Sequence, residues 1–116
     1  MSPARRGEIW LLDLGDPKND DHEQAGRRPG VILQTDDMSA FNTVVIIPLT
    51  TQLKQAGLAS TVLIPANEAG QKHDSVVLCY QLRVLDRRKL IRKIGELLPE
   101  RLSEIEATVA FVLGLP

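Results

Sequence analysis

Short apolar runs, rich in β-branched residues, alternate with clusters of Gly, Pro, Asp and Asn for most of this chain, and then the spacing changes. Residues 8–14 (Glu-Ile-Trp-Leu-Leu-Asp-Leu) read as a strand, and the turn formers of 15–21 read as a loop. Residues 29–35 predict a second strand, with Pro29 at its start because proline cannot donate to a ladder. The run 43–50 (Thr-Val-Val-Ile-Ile-Pro-Leu-Thr) predicts a third, buried on both faces, and 36–42 allows one helical turn before it. Further strands are expected over 60–65, over 75–85 as the longest, and briefly over 93–97. Several short strands punctuated by Gly and Pro suggest a small barrel or sandwich. After them Leu102, Ile105, Val109 and Val112 recur at helical spacing, with Pro99 suited to the first turn and Gly114 to the stop. Leu98, Phe111 and Leu113 widen that apolar face, so the helix should pack across the barrel or against a second subunit.

Length changes this picture little: 116 residues make one domain, 1–116, able to bury a real core. The single cysteine, Cys79, lies in an apolar run and reads as a small buried hydrophobe in a reducing compartment. Nothing resembles a signal peptide or a membrane span, so a soluble cytoplasmic protein without membrane contact is expected. The net charge of −1 does not announce a nucleic-acid binder. Its distribution is uneven, however. Arg83, Arg87, Arg88, Lys89, Arg92 and Lys93 cluster around Asp86 alone, and a local basic patch can steer a polyanion.

Three separated stretches carry a specific pattern. They are Arg6-Gly-Glu-Ile-Trp-Leu-Leu-Asp-Leu14, then His22-Glu-Gln-Ala-Gly-Arg-Arg-Pro29 running into Gly30-Val-Ile-Leu33, then Ile47-Pro-Leu-Thr-Thr-Gln52 followed by residues 75–86. In order and spacing they resemble the MazF/PemK toxins over residues 5–113. The resemblance implies a mainly β fold with short helices, an SH3-like (CcdB/PemK/MazF-like) small barrel plus the C-terminal amphipathic helix. It implies a homodimer binding single-stranded RNA (mRNA) in a groove along its interface. It further implies sequence-specific cleavage that stops translation and growth, neutralisation by a cognate antitoxin, and DNA binding through the antitoxin complex.

RNA carries its own nucleophile, the 2′-hydroxyl, so such a site needs a base, a stabiliser of phosphoryl charge and a proton for the leaving oxygen. No metal or cofactor is needed by that scheme, and His22 and His73 stand too far apart in sequence to suggest a ligand cluster. Arg28 matches the family's functional arginine, and its planar fork suits two phosphate oxygens. Because a guanidinium holds its protons, charge stabilisation is the role expected of it rather than general acid. Thr50 matches an active-site position and could hydrogen-bond a phosphate oxygen or the 2′-hydroxyl; Thr51 is the lesser candidate. Glu23 and His22 compete for the base, and Glu23 could instead brace Arg28. Arg27 and Gln24 are candidate substrate contacts, as are Gln81 and Arg83, which match the family's Gln-x-Arg and, on one long strand, would share a face.

Tyr80 departs from the pattern, standing where relatives commonly carry an acid; it is either core or a stacking surface. With Trp10 read as core and only Phe41 and Phe111 besides, a broad aromatic platform is not expected. Two rival readings use the same fold: a CcdB-like poison that binds DNA gyrase and cuts nothing, and a catalytically inactive interaction module.

Overall fold

The computed structural model describes residues 4–15 and 25–116. Among the described residues seven strands, β1 (Glu8–Asp13), β2 (Arg27–Ile32), β3 (Thr43–Thr50), β4 (Thr61–Ile64), β5 (Ser75–Leu78), β6 (Arg83–Asp86) and β7 (Leu90–Glu96), precede one α-helix, α1 (Pro99–Leu113). All strand pairs are antiparallel, in the order β4-β5-β3-β2-β1-β7, with β6 also on β3. β3 is the hub. Its C-terminal end pairs with β5 (Leu49 with Val77) and its N-terminal half with β6 (Val45 with Val84).

The β-branched run of β3 explains that position. Ile47 and Leu49 join one core cluster with Val31, Val62, Val77 and the helix residues Ile105 and Val109. Val44 and Ile46 join the other, with Leu12, Ile32 and Leu85. Successive side chains of a strand point to opposite faces, so a central strand covered on both sides needs apolar residues at every position.

The ladder does not close on itself, since β4 and β7 remain edges that do not pair. Their side of the molecule is held by backbone contact instead. A Cβ on Gly95 would lie 2.3 Å from the Ala69 oxygen, and one on Gly70 (φ +76°) 2.5 Å from the Ile94 oxygen. Two glycines therefore let the β4–β5 connection lie directly on β7.

Helix α1 starts at Pro99 and ends in a left-handed Gly114 whose N–H returns to Phe111, as the sequence predicts. Ion pairs from Arg101 to Glu68 (2.8 Å) and from Arg6 to Glu106 tie it to the sheet and its loops. Phe111 and Leu113, expected to widen its buried face, are 64% and 53% exposed.

Four expectations need correction. Strand β2 begins at Arg27 rather than Pro29, which moves Arg28 from a loop into the ladder, where Leu12 of β1 is its partner. Strand β7 starts at Leu90, so the basic run divides between a 3₁₀ turn (Arg87–Lys89) and the strand. The long strand over 75–85 is broken by a 3₁₀ turn at Cys79–Gln81. The cause is register. β5 and β6 lie on the same strand β3 with pairings that differ by three residues, and the turn absorbs the excess. Trp10, read as core, is half-buried, packed on the second cluster while its indole N–H donates to Glu8.

Candidate active site

The pairing of β2 with β3 stops where Gly30 faces Pro48. Beyond that point Pro29, whose backbone faces β3, has no N–H to donate across to Leu49, so the ladder is not carried on and a gap opens at the ends of the two strands. Carried on by two residues, the same antiparallel register sets Arg28 beside Thr50 and Arg27 beside Thr51. Thr50 is in turn paired with Val76 of β5, which brings Ser75 to the same gap. The result is a small cleft of about 120 Å³ lined by Arg27, Arg28, Pro29, Leu49, Thr50, Thr51 and Ser75.

Three polar side chains in the cleft, those of Arg28, Thr50 and Ser75, are held. The Arg28 side chain is half-buried, and its Nε donates to the Ala25 carbonyl (3.0 Å), which orients the plane of the guanidinium. Thr50 is only 4% exposed, and its hydroxyl oxygen accepts the Gln52 amide (3.1 Å). That acceptor role leaves the hydroxyl hydrogen available to donate. Ser75 is buried, its hydroxyl within 3.2 Å of both Gln71 Oε1 and the His73 carbonyl. Gln71 donates on to Ala69, in the loop seated on β7. Arg27 is exposed at the rim.

Four residues singled out from the sequence, Arg27, Arg28, Thr50 and Thr51, are thus brought together from two separate segments. His22, Glu23 and Gln24 lie outside the described residues. Gln81 and Arg83 do not line the cleft. Gln81 closes the 3₁₀ turn and Arg83 opens β6 opposite Ile46, so the shared-face argument made for one continuous strand does not apply. Arg83 stands four residues along β3 from Thr50, on the order of 13 Å at strand rise. Ser75 was missed by sequence reasoning. Nothing local marks it, and only the β3–β5 register places it in the cleft.

Glu8, part of the matching N-terminal stretch, is structural. Burial raises its pKa, but bonds from the Trp10 indole, the Arg5 amide and Lys93 outweigh that and lower it, keeping it anionic. Cys79 is buried in the first core cluster, and burial pushes its thiol up to about 12, which leaves it a protonated packing group. Among the described residues no three His, Cys, Asp or Glu side chains converge as ligands for a metal. No helix among them is long and apolar enough to cross a membrane.

The profile of the PemK-like, MazF-like toxins of type II toxin–antitoxin systems matches residues 5–113. Among solved structures, the chain is similar to MazF from Deinococcus radiodurans (TM-score 0.82, 24% identity, 99% of this chain and 100% of that one). An endoribonuclease in complex with its cognate antitoxin from a Mycobacterial species superposes with TM-score 0.79 at 23% identity, covering 97% of each chain. The Mycobacterium tuberculosis toxin MazF-mt6 gives 0.76 at 24%, covering 94% of this chain and 98% of that one.

Proposed function

Because the chain belongs to the PemK-like, MazF-like toxin family of type II toxin–antitoxin systems, we propose that it is a sequence-specific endoribonuclease that cuts single-stranded RNA. The observation that carries this reading is the convergence of Arg28 and Thr50 just past the Gly30–Pro48 end of the β2–β3 ladder. A cleft with a fixed guanidinium, a hydroxyl able to donate and a second arginine at its rim fits a phosphodiester.

In the proposed step the 2′-oxygen bonds to phosphorus as the bond from phosphorus to the 5′-oxygen breaks. The 2′ proton passes to a base, and the departing oxygen takes up a proton, giving a 2′,3′-cyclic phosphate and a 5′-hydroxyl. Arg28 gathers the negative charge that builds on the phosphoryl oxygens, and Thr50 donates to one of them. His22 and Glu23 remain the two candidates for the base. Gln24, Arg27 and Thr51 are assigned to substrate binding beside the cleft, and Gln81 and Arg83 further along the strand's path.

The scheme routes no step through a metal. A cognate antitoxin partner is supported by relatives solved with theirs. Two copies forming the RNA groove, a cytoplasmic site of action and arrest of translation complete the proposal.

The test is cleavage of a mixed-sequence RNA by protein freed of antitoxin. Wild-type protein is expected to cut at a defined sequence with unchanged activity in EDTA. Arg28→Ala is expected to lose at least a hundredfold in rate while melting at the same temperature. Equal turnover by that variant would remove Arg28 from the chemistry, and activity lost to EDTA but restored by a divalent ion would overturn the metal-free scheme. Protein that cuts nothing yet poisons gyrase supercoiling would replace the reading altogether.

A further inference from the structure

The turn that breaks the long strand sets an aromatic ring on the surface next to the proposed RNA path. Tyr80 is the middle residue of the 3₁₀ turn Cys79–Gln81 and is 43% exposed, while its neighbour Cys79 is fully buried. Its ring is held in place. The phenol donates to Gln55 Oε1 (3.4 Å), and Gln55 is itself anchored, its carbonyl accepting the Thr61 hydroxyl at 2.8 Å. Gln55 belongs to the 3₁₀ turn Leu53–Gln55, which leaves the cleft directly after Thr50 and Thr51. The loop that begins at the cleft therefore touches Tyr80 at its midpoint.

The distance suits a strand of RNA. Tyr80 falls between Leu78, which the β5 register sets opposite Pro48, and Arg83 opposite Ile46, so it lies two to four residues along β3 from Thr50, on the order of 7–13 Å at strand rise, which a single strand covers in a few nucleotides. Arg83 lies just past it. Leu53 and Leu58, each 49% exposed, belong to the same loop and extend the apolar surface.

We infer that Tyr80 stacks on a base a few nucleotides from the scissile phosphate, and that with Gln55 it helps decide which sequence is cut. The inference rests on the RNA-cleavage reading and adds a specificity-determining residue to it. An exposed ring pinned through its hydroxyl offers its face to a base at little entropic cost, and base–aromatic stacking needs no particular base. Selectivity comes from Gln55. Its Oε1 accepts from the phenol, so the N–H donors of its amide are turned to a base edge and favour one with an acceptor there. Tyr80 takes no part in proton transfer.

Cleavage-site mapping on a randomised single-stranded RNA pool tests this, with wild type, Tyr80→Ala, Tyr80→Phe and Gln55→Ala. Wild type is expected to show a base preference at one position a few nucleotides from the cut. Tyr80→Ala should lose about tenfold in kcat/KM on the preferred sequence, the size of one stacked base. It should keep wild-type rates on a minimal substrate that ends short of that position. Tyr80→Phe should keep most of the rate and the wild-type pH profile, and Gln55→Ala should blur the preference with a smaller loss of rate.

A strand carrying 2-aminopurine at that position, with hydrogen in place of the 2′-hydroxyl at the cut, should be quenched by wild type and Tyr80→Phe but not by Tyr80→Ala. Unchanged mapping and quenching in Tyr80→Ala overturn the inference alone. So does an equal loss on the minimal substrate, or a Tyr80→Phe variant as impaired as Tyr80→Ala. Wild-type protein that neither binds nor cuts RNA overturns the functional reading, and this inference with it.

Discussion

Thr50 shows how one side chain serves fold and site together. Its oxygen accepts the Gln52 amide, which shapes the turn leaving β3, and its hydrogen stays available to donate within the cleft it lines. Thr50→Val keeps the branched shape of a strand residue and removes only the hydroxyl. Its expected outcome is a loss of about a hundredfold in kcat with little change in melting temperature, checked by single-turnover cleavage. Ser75 shares the cleft but spends its hydroxyl on the loop, so Ser75→Ala should cost far less in rate. Cys79 is the residue-scale counterexample. With its thiol raised to about 12 by burial, it should resist iodoacetamide at neutral pH in the folded protein and react once the chain is denatured. Arg28 and Thr50 could be singled out in the sequence because each sits in a recognisable stretch. Ser75 could not, because the contacts that matter to it come from a strand more than twenty residues away.

At the scale of elements, apolar period set most of what formed. The run of β3 and the change of spacing before α1 both read correctly, since burial on two faces and burial on one helical stripe leave different marks. The break at Cys79–Gln81 left none. Its residues are as strand-like as their neighbours, and the interruption arises because two ladders on one partner strand demand different registers. The contact of the β4–β5 loop with β7 is likewise invisible locally, yet it admits a sharp test. Gly95→Ala drives a methyl into the Ala69 carbonyl, a backbone atom that cannot swing aside. A loss of about 2 kcal/mol is expected, seen as a fall of several degrees in thermal melting. Gly114→Ala, in open space at φ +69°, should cost less.

The whole molecule is stitched by charge as well as by core. Glu68 is held below the usual carboxylate range chiefly by its bond from Arg101, and Asp86 is lowered to about 2 by Arg88. A carboxyl lowered in the folded state stabilises above its unfolded pKa, and that contribution disappears as pH falls through the folded value. Both contributions are therefore present at neutral pH; that of Asp86 is lost between about pH 3.8 and about 2, and that of Glu68 as pH falls below 4.5. Glu68→Gln should begin less stable at pH 7 and lose less on acidification, as followed by melting temperature. Phe111, Leu113 and Leu115, more than half exposed, leave an apolar end on the helix. Light scattering is expected to report a homodimer of twice the 12.8 kDa chain mass.

From residue order alone come the strand-rich class, the terminal helix and the two side chains that best fit phosphate chemistry, because periodicity and short motifs are local properties that survive in one dimension. The cleft itself, the membership of Ser75, the exposure of Tyr80 and the seating of Gly70 on Gly95 belong to the folded chain. Each depends on which strand lies beside which and in what register. That is settled by packing the whole sheet at once, and by the absence of an N–H at Pro29 where the β2–β3 ladder ends.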